Sequence, residues 1–330
     1  MHLLRKVMYQ TALYMCLGGV LSAQAEWGSI DGKTFDLMRF PGKVKIEYLG
    51  QAVDILFVVD DSGSMGSHQN NLAQNIDLFL AQIQSLTDYQ VGVITTSCDY
   101  TGVRCGVLRN GFVTPTTPDP IKTLRENLLV GVSGSGTETH FKTLAAALSD
   151  EVRHGANAGF IRDEAHLMIV FVSDAEDQSG DIDVQAVADR LIGVKGSATM
   201  ASAHGILVPT GDTTNCDRDD GNTTPARIED LIGRFGGQVS SLCSTTYGED
   251  LVRMAQAVTG LSRRIPLLLQ PIVETIRVFF NAMEIPTGVL GQGWAYSPET
   301  NEVVIGELVD LSGAPEKTPV IVEFVPADEK

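Results

Sequence analysis

The chain has 330 residues, with 41 Asp and Glu against 24 Lys and Arg, a formal net charge of −17. That acidic excess argues against nucleic acid as a partner, because phosphate contacts need clusters of Lys and Arg, and it leaves the surface open to metal cations. With 43% apolar residues, the length suffices for one large domain and a small one.

Residues 1–25 read as a secretory signal peptide: Arg5 and Lys6 precede an apolar stretch over 7–21, and "AQA" at 23–25 fits a small-x-small cleavage site. Cys16 raises the question of a lipidated N-terminus, but the preceding Met15 is bulky where a small residue is expected, which favours cleavage after Ala25. The stretch contains no acid, so removing Arg5 and Lys6 from the 24 basic residues leaves 22 against 41, a net of −19. The chain should therefore be exported, to a periplasm, a cell surface or the medium. No later segment reads as a transmembrane span, since "IPLLLQPIV" is short and broken by Pro271.

Residues 26–50 carry a short strand, "KVKIEYL", expected to join a β appendage formed further on. A strand over 53–59 leads to a helix near 70–86, with Leu72, Ile76, Phe79, Leu80, Ile83 and Leu86 on one face. The strand "QVGVITT" follows, then a Gly/Thr/Pro-rich excursion over 97–120 with an edge strand near 111–114. "DPIKTLRENLLVG" reads as a short helix and "TLAAALSDEVRH" as one longer helix. "AHLMIVFVSD" is a nearly unbroken apolar strand, as expected when both faces are covered. A helix at 183–193, a strand at 203–208, a helix at 225–235, a strand at 238–240 and a helix at 247–259 complete the alternation.

Such β-then-α units predict an α/β fold, a doubly wound and mostly parallel sheet with helices on both faces, over residues 51–262. After Arg264 the rhythm changes to short strands, "ETIRVFFN", "GWAYSPETNEVVIG" and "TPVIVEF", with "SPETN" turning a hairpin between Tyr296 and Val303. Residues 263–330 should form a small all-β C-terminal appendage.

The chemistry gathers at "DILFVVDDSGSMG", where a buried strand opens into a polar loop. Asp, Ser and Gly are turn formers, yet Asp60, Ser62 and Ser64 alternate and could aim three oxygens at one point. Two other loops add oxygens at the same sheet edge: Thr137 in "GSGTETH", just before a helix, and Asp174 at the end of the longest strand. Ligands of open α/β sheets bind beyond that edge. A turn alone accounts for Asp60 and the serines but not for Thr137 and Asp174.

The Asp-x-Ser-x-Ser loop, the threonine before a helix and the strand-ending aspartate resemble the von Willebrand factor type A domain. The resemblance is to members whose metal-ion-dependent adhesion site is complete. It implies Asp60, Ser62, Ser64, Thr137 and Asp174 as the five ligand positions. Hard oxygen donors suit Mg²⁺ or Mn²⁺. In the family, an open position on the metal typically accepts a carboxylate from a partner protein. The cysteine-bearing loops and the β appendage also resemble secreted bacterial members.

The expected function is that of an exported, metal-dependent protein-binding or adhesion module that takes a protein ligand presenting Asp or Glu, and not an enzyme. Two alternatives stand beside it: a metal-dependent hydrolase with His68 or His140 as general base, and a structural periplasmic assembly subunit. Both histidines are otherwise read as surface residues near helix N-termini, and Asp61 as a solvated loop residue. The acids following Asp174, Glu176, Asp177 and Asp181, form an exposed rim or a second site for Ca²⁺ near Glu176 and Asp177. "DRDDGN" at 217–222 lacks the full pattern of a calcium loop.

Outside the leader the cysteines are Cys98, Cys105, Cys216 and Cys243, an even count that points to two disulfides with three possible pairings. The strand order typical of the resembled family would put the second strand about three strand spacings, roughly 14 Å, from the fifth and sixth. That is beyond disulfide reach, so the resemblance implies Cys98–Cys105 and Cys216–Cys243.

Overall fold

A computed structural model describes residues 10–13, 24–30, 33–40, 42–83, 88–98, 105–211, 224–244, 247–288, 291–311 and 318–327. Two compact units emerge: one runs from Val53 to Val258, and the other joins the residues up to Ala52 to those from Thr259 onward.

In chain order the elements begin with four strands, β1 (Gln10–Leu13), β2 (Gln24–Ile30), β3 (Lys33–Phe40) and β4 (Lys43–Gln51). Then come β5 (Val53–Val59), α1 (Gly66–Ile83), β6 (Tyr89–Thr95), β7 (Phe112–Val113), α2 (Pro120–Leu128), α3 (His140–Ala147) and α4 (Asp150–His154). They are followed by β8 (His166–Ser173), α5 (Val184–Lys195), β9 (Ala201–Leu207), α6 (Ala226–Arg234), β10 (Val239–Ser241) and α7 (Tyr247–Ser262). Short strands close the chain: β11 (Arg264–Pro266), β12 (Arg277–Phe280), β13 (Met283–Ile285), β14 (Trp294–Ser297), β15 (Glu302–Ile305) and β16 (Val320–Phe324).

The Val53–Val258 unit is built on one sheet in the order β10-β9-β8-β5-β6-β7. Its pairings are parallel except for β7 on β6. Every residue of β5 and β8 is buried, which explains their unbroken apolar sequences. On one face Leu56 and Phe171 share a core with Leu144, Leu191 and Leu231, drawn from α3, α5 and α6. On the other, Phe57 meets Phe79 of α1 edge-on, with ring centroids 5.6 Å apart. The chain leaves β5 for β6 on one side and returns to β8 on the other, so the sheet reverses direction there. The carboxyl ends of β5 and β8, bearing Asp60 and Asp174, flank that switch point.

The stretch expected as one helix over "TLAAALSDEVRH" is two. Ser149 starts α4 as its N-cap, its hydroxyl oxygen accepting the Val152 amide, with Asp150 and Glu151 in the first turn. That capping sequence outcompetes continuation of α3.

The other unit contains two antiparallel sheets where one small appendage was expected. One has the order β1-β2-β3-β4-β16-β12-β13 and the other β11-β15-β14. Both sheets contribute to one core, which includes Ile46, Val278, Val322, Trp294 and Val303. The strand "KVKIEYL" lies within β4, beside β16, with Ile46 opposite Val322. The β14–β15 hairpin pairs Tyr296 with Val303, and Asn301 takes the left-handed conformation that its turn needs. The β12–β13 hairpin escapes sequence reading. Its turn residues Asn281 and Ala282 both have positive φ, a geometry usually signalled by Asn-Gly.

In the full chain, residues from the expected leader enter strands. Gln10–Leu13 forms the outermost strand and pairs with β2, which itself begins at Gln24. An apolar segment beside a free sheet edge can satisfy its backbone groups there. Cleavage after Ala25 would remove β1 and the first two residues of β2. No helix among the described residues is long and apolar enough to cross a membrane.

Candidate metal centre

Asp60 follows β5 and continues its ladder, its amide donating to Val172 O at 2.9 Å. Its carboxylate is fully buried. Oδ1 accepts the Ser62 amide at 2.8 Å and Oδ2 accepts the Ser173 hydroxyl at 2.6 Å. The Ser62 and Ser64 hydroxyl oxygens stand 3.3 Å apart. The Ser64 side chain also pulls the Asp174 pKa down, against the effect of burial. Direct contacts thus join Asp60, Ser62 and Ser64, and Asp174 is coupled to Asp60 and Ser64 electrostatically.

Thr137 is placed differently. It is exposed, and its amide donates to Ser135 Oγ at 3.0 Å. Gln69 of α1 ties the start of its loop to the backbone of Asp60. The Gln69 amide group donates to Asp60 O at 2.9 Å and to Gly131 O at 2.7 Å, and its oxygen accepts the Gly131 amide.

Negative charge accumulates at this edge. Burial raises the Asp60 pKa, opposed by the hydrogen bonds from Ser173 and Ser62 and reinforced by Asp61. Burial also raises that of Asp174, with Asp60 adding to the effect while Ser64 and His68 oppose it. Glu138, which sequence reasoning passed over, is 4% exposed. Burial and then the charge of Asp60 push its carboxyl up to about 7. Its Oε2 accepts the Gln178 side-chain amide at 2.8 Å. The only sequence signal was its place beside Thr137. Carboxylates held close among hydroxyls, with the charge of Asp60 raising both Asp174 and Glu138, form a donor set suited to a hard divalent cation.

Three expectations about neighbouring residues need correction. Asp61 is not a solvated loop residue: it is 4% exposed, and its carboxylate accepts hydroxyls from Ser97 at 2.8 Å and Thr96 at 3.3 Å. His140 is not on the surface; it is fully buried, and neither ring nitrogen has a hydrogen-bond partner. Burial pushes its pKa down to about 4, against the pull of Asp177, whose Oδ1 lies 3.9 Å from Nδ1. Of the acids after Asp174, Asp181 is exposed and Glu176 half-buried, but Asp177 does not belong to an exposed rim. Asp177 is buried, accepts the Phe141 amide at the start of α3, and pairs with Arg227 at 2.8 Å. Glu176 accepts the Arg227 amide at the start of α6. Their oxygens are committed to helix starts and one guanidinium. Among the described residues, no group of three or more His, Cys, Asp or Glu is placed to hold a metal ion. The donors around Asp60 include the hydroxyls of Ser62 and Ser64.

Cys98 and Cys105 form a disulfide. Cys243 is disulfide-bonded as well; its expected partner Cys216, like the "DRDDGN" stretch, lies outside the described residues.

Comparison with known proteins agrees with this architecture. The model of the von Willebrand factor type A domain matches residues 54–207. No curated protein matches. Among solved structures, the pilus adhesin SpaC from Lactobacillus rhamnosus GG in its open conformation is 12% identical, with a TM-score of 0.43 over 92% of this chain and 42% of that one. Proximal thread matrix protein 1 from the mussel byssus is 14% identical, with a TM-score of 0.39 over 67% of this chain and 50% of that one. A structure of the same mussel protein with a zinc-occupied MIDAS motif is 13% identical, with a TM-score of 0.36 and the same coverage. The chain thus spans half or less of the length of these proteins, and likeness at this level carries no functional meaning. The family match and the helix-flanked, mostly parallel sheet together identify the fold as that of a von Willebrand factor type A domain, accompanied by antiparallel all-β sheets.

Proposed function

We propose that the chain is an exported binding module, not an enzyme, which captures a carboxylate of a partner protein at a divalent cation held by Asp60, Ser62, Ser64, Thr137 and Asp174. The observation that carries this reading is the gathering of two carboxylates and two hydroxyls at the switch point of the sheet, where Asp60 accepts the Ser62 amide and the Ser62 and Ser64 oxygens stand 3.3 Å apart. Mg²⁺ or Mn²⁺ fits such oxygen donors. When bound, the ion supplies positive charge that an incoming Asp or Glu side chain can meet. The chain's own residues hold the first donor still: the Ser173 hydroxyl and the Ser62 amide orient Asp60. The Cys98–Cys105 disulfide supports an oxidising compartment, as a periplasm, cell surface or medium would be.

A hydrolase reading loses one of its two candidate bases, because His140 is sealed from solvent. Retention of Asp- and Glu-containing peptides on the immobilised chain, in Mg²⁺ against chelator, tests the binding reading. Retention should require Mg²⁺, vanish in Asp60→Ala, and vanish when the retained peptide's acid becomes an amide. Retention indifferent to chelator would refute it.

A further inference from the structure

We propose that Asp61 is a positioning residue for the metal centre, locking the loop that carries Thr137 to the loop that carries Asp60, Ser62 and Ser64. Its effect on metal affinity rests on the reading above; its geometry does not.

The lock is a relay of side-chain oxygens and backbone amides. Ser97 Oγ donates to Asp61 Oδ1 at 2.8 Å. The Ser135 amide donates to Ser97 Oγ at 2.9 Å, and the Thr137 amide donates to Ser135 Oγ at 3.0 Å. A parallel strut runs through the backbone, the Gly134 amide donating to Asp61 O at 2.9 Å. Thr96 closes the arrangement. Its hydroxyl donates to Asp61 Oδ1, and its carbonyl accepts both the amide and the hydroxyl of Thr139. Both ends of the Thr137 segment are therefore fastened to the stretch that follows β6, and that stretch is fastened to Asp61.

Gly134 shows how tight the fit is. A Cβ there would lie 2.3 Å from the Asp61 carboxyl carbon, so only glycine lets the loop approach. The two neighbouring carboxylates also divide their donors. Asp60 takes the Ser62 amide and the Ser173 hydroxyl, whereas Asp61 takes the hydroxyls of Thr96 and Ser97. Each Asp60 oxygen keeps one donor at the sheet edge, whereas two hydroxyls from the stretch after β6 converge on Asp61 Oδ1. Preorganised donors bind more tightly because less ordering remains to be done on binding.

The test uses the full chain, with Mg²⁺ affinity measured by titration calorimetry and amide hydrogen exchange measured in chelator. Ser97→Ala should weaken Mg²⁺ binding tenfold or more and speed exchange at Ser135. Ser135→Ala, a smaller change on a partly exposed loop, should weaken binding and speed exchange at Thr137. Asp61→Ala should resemble Ser97→Ala, while Asp61→Asn keeps an oxygen for the Ser97 hydroxyl and should restore slow exchange at Ser135. Affinity lost in both Asp61 variants but unchanged in Ser97→Ala and Ser135→Ala would assign the effect to charge alone and overturn the lock. Unchanged exchange in both serine variants would overturn it as well. No Mg²⁺ binding by the parent chain would overturn the metal reading and the role at the site, leaving the exchange arm to decide the relay.

Discussion

Strand β5 has a buried aspartate near each end, and the two are treated in opposite ways. Asp54, fully buried near the amino end, accepts the Arg162 amide at 2.7 Å and its Nε at 2.8 Å, with Nη2 at 2.7 Å. Lys195 stands behind that pair, its Nζ donating to the carbonyls of Arg162 and Asp163. Burial raises Asp54 to about 6 against the attraction of Arg162, so it stays ionised at neutral pH. Asp60, equally buried just past the carboxyl end, receives only hydroxyl and amide donors and faces other acids. One end of the strand carries its own counter-charge; at the other, the proposed metal would supply it. A fold tolerates an uncompensated buried carboxylate where function needs it.

The largest expected effect comes from removing the internal cation. Arg162→Met should destabilise the chain by about 3–5 kcal/mol in urea unfolding, because it strands Asp54 without a partner. A loss under about 1 kcal/mol would mean that Asp54 is not compensated as described.

Next comes the external cation. Mg²⁺ at about 100 times its dissociation constant should stabilise the chain by about 2.7 kcal/mol through linkage, and should leave Asp60→Ala unmoved. Equal stabilisation of both would place the ion elsewhere.

The amino end also holds His166, whose pKa burial lowers to about 4, helped by Lys195 and His204. The folded value lies below the unfolded 6.5, so the unfolded chain takes up a proton first. Stability should therefore fall as pH drops from 6.5 through 4, by at most about 1.4 kcal/mol per pH unit from this group. His166→Gln should flatten urea-measured stability over that window by the corresponding amount; an unchanged slope would contradict the shift.

The smallest effect should be the most telling in sign. In chelator, Asp60→Asn should raise stability by about 1 kcal/mol or less, since it deletes a buried charge that lacks a cation. A clear loss would mean that Asp60 is already satisfied by its own fold.

Much of this contrast was legible in sequence at one end only. Asp60, Ser62 and Ser64 alternate after an apolar strand, and Asp174 ends another, so local spacing was enough to bring them to one edge. Asp54 carries no such signal, because its partner Arg162 is distant in sequence and meets it only through tertiary packing. Asp61, Glu138 and His140 were misjudged or missed for a related reason. Polar residues in loops read as solvated, and only the folded loops bury them beneath Ser97, Gln178 and Asp177. The break between α3 and α4 was present in the Ser-Asp-Glu cap but hidden by an apolar period that continued through it. In the all-β unit, alternation marked β14–β16, whereas the Asn281-Ala282 turn gave no cue to β13.

The most direct test is calorimetric titration of the full chain with Mg²⁺ beside two substitutions on the same strand, Asp60→Ala and Asp54→Asn. One Mg²⁺ should bind the parent chain and Asp54→Asn with similar affinity, and none should bind Asp60→Ala. Binding by Asp60→Ala with the parent's affinity and stoichiometry would contradict the assignment of the carboxyl end of β5 as the metal centre.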